Sequence, residues 1–138
     1  MNILPSGLPE YVDERETLAR FLTQSSHYNS FGVKPNAFLP NPKNNLTSVA
    51  RHDQSPEDAL WRIGESVVAP SGKRLHGAAF VTAADVRAVN LEVISEEPPL
   101  RHANLTNWSK SDDPDVARAA YKEIAFVLAE KATTKMRL

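Results

Sequence analysis

The stretch Arg74–Pro99, RLHGAAFVTAADVRAVNLEVISEEPP, constrains the chain more than any other, because it specifies three elements and their ends. Leu75–Val81 is apolar enough to extend as a strand. Thr82, followed three residues later by Asp85, makes a capping-box pattern that starts a short helix over Ala83–Val89. Asn90 is the residue type that takes the left-handed position after such a helix. Leu91–Ile94 then reads as a second strand, and Glu96-Glu97-Pro98-Pro99 stops it, since proline has no amide to give to a sheet. Strand, capped helix and strand in close succession direct the chain to a fold in which helices pack on a sheet.

The flanking segments extend that pattern. Asp13 and Glu16 form a capping-box-like pair ahead of Leu18, Phe21 and Leu22, whose spacing predicts a helix from about Pro9 or Asp13 to Thr23. Residues 24–45 are punctuated by Ser, Asn, Gly and Pro, and only a short strand near Ala37–Leu39 is expected there. Leu46–Arg51 alternates as a strand should. Ser55, Pro56, Glu57 and Asp58 then start a helix whose Ala59, Leu60, Ile63 and Val67 share one face. Gly64 inside that helix costs about 1 kcal/mol relative to alanine, which suggests a close contact. Residues 100–111 are polar, with Leu105 and Trp108 as anchors. Asp112 or Asp113 and Pro114 begin a last helix that runs to about Lys131, with Val116, Ala120, Ile124, Val127 and Leu128 as its buried stripe.

These elements predict an α+β fold, with a small mixed sheet of about four strands packed by three main helices in the order α-β-β-α-β-α-β-α. One domain is expected over residues 1–138, with 1–8 a flexible arm and 133–138 a frayed tail. With 41% hydrophobic and 24% charged residues the chain is ordinary for a folded domain, and its net charge of -1 gives no general attraction to nucleic acid. The absence of cysteine excludes disulfides, thiolate catalysis and cysteine-ligated metals. With no secretory leader pattern and no long apolar run, a soluble, cytoplasmic protein that does not enter a membrane is expected.

Recurrent catalytic motifs are missing. No phosphate-binding glycine loop, dinucleotide fingerprint, paired-histidine zinc helix, nucleophile elbow or calcium loop occurs, so no cofactor and no metal site is predicted. Four histidines remain, His27, His52, His76 and His102. His76 and His102 are the catalytic candidates, because imidazole exchanges protons near neutral pH. Arg51, His52, Arg101 and Asn104 are the ligand-binding candidates, since arginine grips phosphate or carboxylate with two parallel hydrogen bonds. If the strand ends converge, these six residues form one basic pocket. The His76-Gly77 pair, with a helix after it, faintly resembles the His-Gly strand of ADP-ribosyltransferase-like enzymes, although Asn90-Leu91 stands where that pattern has Gly-Leu. Arg20 and His27 match the Arg…His spacing of some helical ribonucleases, but the predicted strands do not suit an all-helical fold.

Two functions follow as expectations. The first is a small binding or interaction module, with a protein partner or self-association through Phe31, Phe38 and Trp108 and with a small anionic ligand also in view. The alternative is a small enzyme acting on a nucleotide, RNA end or other phosphorylated ligand through the His/Arg pocket. Nucleic acid is the least favoured partner.

Overall fold

A computed structural model describes residues 2–137. Its centre is a six-stranded sheet in which every neighbouring pair is antiparallel. In chain order the strands are β1 (Thr17–Leu22), the short hairpin β2 (Tyr28–Asn29) and β3 (Gly32–Val33), β4 (Thr47–Arg51), β5 (Gly77–Thr82), β6 (Glu92–Ser95), β7 (His102–Thr106) and β8 (Thr133–Met136). The helices are α1 (Glu57–Val68), α2 (Ala83–Ala88) and α3 (Pro114–Lys131). The sheet runs β6-β7-β4-β1-β5-β8, and β2-β3 forms a separate two-stranded ribbon.

The expected mixed sheet of four strands is therefore corrected to six antiparallel strands, and the expected order of elements changes with it. The segment read as the first helix is β1, inside the sheet between β4 and β5. A strand covered on both faces loses its apolar/polar alternation. Leu18, Phe21 and Leu22 are buried on both faces of the sheet, and their spacing imitates a helix. Asp13 and Glu16 do pair as a cap would, with the Asp13 amide donating to Glu16 Oε2 at 2.9 Å, yet the chain then extends. Ala37–Leu39 is not a strand; Pro35–Phe38 winds as a 3-10 turn that buries Ala37 and Phe38. The polar stretch His102–Thr106 is a strand, and Thr133–Met136, in the expected frayed tail, pairs with β5. Residues 2–10 fold back on themselves through an Ile3–Pro9 bridge, and Ser6 Oγ donates to Glu97 Oε2 at 2.6 Å.

Local signals set the other elements. Thr82 and Asp85 form the reciprocal capping box that starts α2, and Asn90 takes φ 66° after it. Asp113 accepts from the Asp115 amide at the start of α3. Ser55 does not cap α1; its hydroxyl lies 3.0 Å from His52 Nδ1 instead. Gly64 is the close contact its position suggested, because a Cβ there would fall 2.7 Å from Leu75 Cδ2 and 2.8 Å from Phe21 Cε1.

The sheet separates two apolar layers. On one face α2, α3 and the 3-10 turn cover Leu18, Leu22, Val81, Leu105, Trp108 and Leu128 in the larger core. On the other face α1 alone covers Ala19, Phe21, Ala50, Leu60, Leu75 and Ala78. No helix among the described residues is long and apolar enough to cross a membrane.

Candidate functional site

The sheet opens between two of its central strands. β1 and β4 pair only at Leu18–Arg51 and Ala19–Ala50, although β1 continues to Leu22 and β4 begins at Thr47. Arg20 fills the gap. Its Nε donates to the Ala37 carbonyl of the 3-10 turn at 2.7 Å, and its Nη1 donates at 2.9 Å to the carbonyl of Ser48 in the part of β4 that β1 does not pair. Its Nη2 has no acceptor among the described residues. Among the described residues no carboxylate pairs with this guanidinium, and burial pushes its pKa down to about 10, which leaves it cationic at neutral pH.

Arg20 leaves β1 on the face of Leu18 and Leu22, and at the gap between β1 and β4 it also borders a cleft of about 350 Å³ whose other walls lie on the α1 side of the sheet. Lys73, in the turn after α1, and His102, at the start of β7, line the same cleft. Thr23, Asn41, Ser48 and Ser71 add hydroxyl and amide groups, while Phe21, Ile63, Val67, Val68 and Leu100 give apolar walls. No Asp or Glu lines it. His102 Nδ1 lies 2.9 Å from the Glu96 carbonyl oxygen, a contact in which Nδ1 donates; Glu96 Oε1 is 3.9 Å away. That hydrogen bond leaves Nε2 as the second functional nitrogen of the ring.

The expected site residues divide among several places. Arg51 is fully buried on the other face, where Nε and Nη2 grip Glu16 at 2.8 and 2.7 Å and Nη1 donates to the Pro9 carbonyl and Ser95 Oγ. Each of its three nitrogens is committed inside the fold. Arg101, at φ 66°, points Nη1 at the carbonyls of Arg51 and Asp53. His52 lies beside it, packed on Phe80 with ring centroids 5.7 Å apart. Burial, then the nearby Arg101 charge, holds the His52 pKa below its ordinary value, and Glu57 and Asp53 partly oppose this. Asn104 is buried in β7 opposite Ser48.

His76 and His102 are not brought together. His102 is level with Ala50, Ala50 with Ala19, and Ala19 with Phe80, while His76 lies four residues along the chain from Phe80. Three strand spacings of about 4.8 Å and four residues of about 3.4 Å give a separation of about 20 Å. His76 Nδ1 is instead 2.7 Å from the Tyr28 hydroxyl, at the far end of the sheet. His27 is close to that end; its Nδ1 is buried without a hydrogen-bond partner among the described residues. Burial, then Arg20, Lys73 and His76, lowers its pKa.

Sequence reasoning named His102 but missed Arg20 and Lys73 as its neighbours in the cleft. Arg20 was assigned to a helix, and nothing in its local sequence shows that β1 and β4 part beside it. Lys73 carries no pattern beyond its place after a helix. Among the described residues no group of three metal-ligating side chains gathers. Fold and site together define an antiparallel α+β domain with a cationic cleft beneath a single covering helix. Comparison with protein-family models, with curated proteins and with solved structures gives no match to this chain.

Proposed function

We propose that this chain is a binding module whose ligand is a small anion held in the cleft between α1 and the sheet. The observation that carries the reading is Arg20, a cation set at the gap in the sheet and bordering the cleft, with no carboxylate partner among the described residues. A buried charge without a counter-ion is costly, and an anionic ligand relieves that cost while gaining strength from the low local dielectric. Lys73 and His102 supply further donors, and the hydroxyls of Thr23 and Ser48 suit the oxygens of phosphate or carboxylate. The phosphorylated ligand of the enzyme reading fits the same cleft. A reaction there would have to rest on His102, since His76 lies at the far end of the sheet. A cytoplasmic location belongs to this proposal, and the cysteine-free composition supports it.

The test is a titration of isotopically labelled protein with inorganic phosphate, followed by amide chemical shifts. The expected shifts fall on Thr23, Ser48, Ser71 and Lys73, and they weaken in Lys73→Gln, an exposed change that spares the fold. Shifts confined to other surfaces, or none at millimolar phosphate, would refute the reading.

Self-association is the second reading, and one observation favours it. Phe31 is 97% exposed at the tip of the β2-β3 ribbon and shares a groove with Phe126 of α3, itself 55% exposed. Of the three rings expected to form an apolar patch, Phe38 and Trp108 belong to the core, which leaves Phe31 to act with Phe126. Sedimentation over a range of concentrations, for the wild type and Phe31→Ser, decides this reading. A dimer weakened by the substitution supports it, and a monomer throughout rejects it.

A further inference from the structure

The volume and wall chemistry of the cleft say more about its occupant than charge does. At a liquid share of about 30 Å³ per water, the cleft has room for about a dozen waters. It falls in the size range of small-molecule pockets, roughly 300–1,000 Å³. A free oxyanion on Arg20 would leave most of it unfilled. The unfilled part is apolar. Ile63, Val67 and Val68 of α1 face it from one side, with Phe21 on the sheet and Pro99 and Leu100 in the turn before β7. Val67 and Leu100 are 45% and 54% exposed, so apolar surface at the rim is open for a ligand to cover.

The polar groups also discriminate between head groups. Arg20 and Lys73 bring a guanidinium and an ammonium, His102 adds an imidazole, and no carboxylate among the lining residues offsets them. A carboxylate brings one negative charge and two oxygens. A phosphate monoester brings close to two charges near neutral pH and three terminal oxygens. The donor set of two cations, an imidazole, the hydroxyls of Thr23 and Ser48 and an amide matches the second better.

We propose that the cleft binds an organic phosphate monoester, with its phosphate on Arg20 and Lys73 and an apolar, ring-sized body against Ile63, Val67 and Leu100. This deepens the anion-binding reading and rests on it. The body is the part of the ligand that α1 recognises, and the phosphate is the part that the gap in the sheet recognises. A class of ligand follows: phosphorylated compounds with a flat or compact apolar group attached, in preference to inorganic phosphate and to aromatic acids.

Calorimetric titration with inorganic phosphate, phenyl phosphate and benzoate tests the proposal on the intact chain. Phenyl phosphate is expected to bind about tenfold more tightly than inorganic phosphate, a gain that burial of about 60 Å² of ring surface supplies at about 25 cal/mol per Å². It should also exceed benzoate. Leu100→Ser and Val67→Ser change exposed side chains and so keep the fold; both should weaken phenyl phosphate severalfold and leave inorganic phosphate unchanged. Equal binding of inorganic and phenyl phosphate overturns the apolar body, and benzoate binding as tightly as phenyl phosphate overturns the phosphate head. Either result leaves the anion-binding reading in place. Absence of binding by all three overturns that reading and this one together.

Discussion

The two faces of the sheet are built by different rules. Beneath α2 and α3, Leu18, Leu22, Leu105, Trp108 and Leu128 are closed from solvent, and the buried ion pair Arg51 with Glu16 satisfies itself. Beneath α1 the layer is thinner, and Lys73 lines a cleft that Arg20, rooted on the Leu18/Leu22 side of β1, borders at the gap between β1 and β4, with no acidic residue among its lining. A charge enclosed with its counter-ion is structure, whereas a charge held at an opening without one is available for a ligand. The contrast separates Arg51, the arginine the sequence pointed to, from Arg20, the arginine the fold exposes.

Mutations that break this contrast should show it as a gradient in stability. The largest effect is expected from Glu16→Ala, which leaves the Arg51 guanidinium buried and uncompensated at a cost of about 3–5 kcal/mol in urea unfolding. Replacing both partners by apolar residues of similar size should recover most of that loss. On the same face, Trp108→Ala should cost about 3–5 kcal/mol through the cavity it opens. On the α1 face, Gly64→Val should cost about 1–3 kcal/mol, because its side chain would meet Leu75 and Phe21 where α1 lies closest to the sheet.

The pH response sharpens the comparison. His27 and His52 both have pKa values held below the ordinary 6.5, by burial first and then by neighbouring cations. The unfolded chain therefore binds these protons more readily than the folded one. Their contribution is full above pH 6.5, and it is lost as pH falls from there through the lower folded values. Unfolding midpoints in denaturant should drop between about pH 7 and pH 5, and His27→Gln should flatten part of that slope. The smallest effect is expected from Phe31→Ser, within about 0.5 kcal/mol, as its ring touches solvent almost everywhere.

What the sequence made legible was local. Thr82 with Asp85, Asn90, and Asp113 with Pro114 act over a single turn of chain, and they marked α2 and α3 correctly. The face of α3 was less clear, because Ala117, Tyr121 and Ala125 take the inner positions and leave Val116 exposed. Burial on both faces hid β1, since its apolar spacing no longer reported a strand. β7 was hidden for the opposite reason: His102, Asn104 and Thr106 read as a loop, although the strand lies between β6 and β4. The cleft was out of reach of any spacing rule. It depends on where β1 and β4 stop pairing, and on residues from β1, β7 and the turn after α1 meeting there. His102 could be singled out because its residue type has few roles; Arg20 entered only through its spacing from His27, and Lys73 not at all.

The measurement that bears most directly on the account is a crystal structure of the protein grown with saturating phenyl phosphate. One ligand is expected in the cleft, its phosphate oxygens within hydrogen-bond distance of the Arg20 guanidinium and its ring against Val67 and Leu100. A cleft that stays empty under those conditions, or a ligand bound at Arg51 or Arg101 instead, would contradict it.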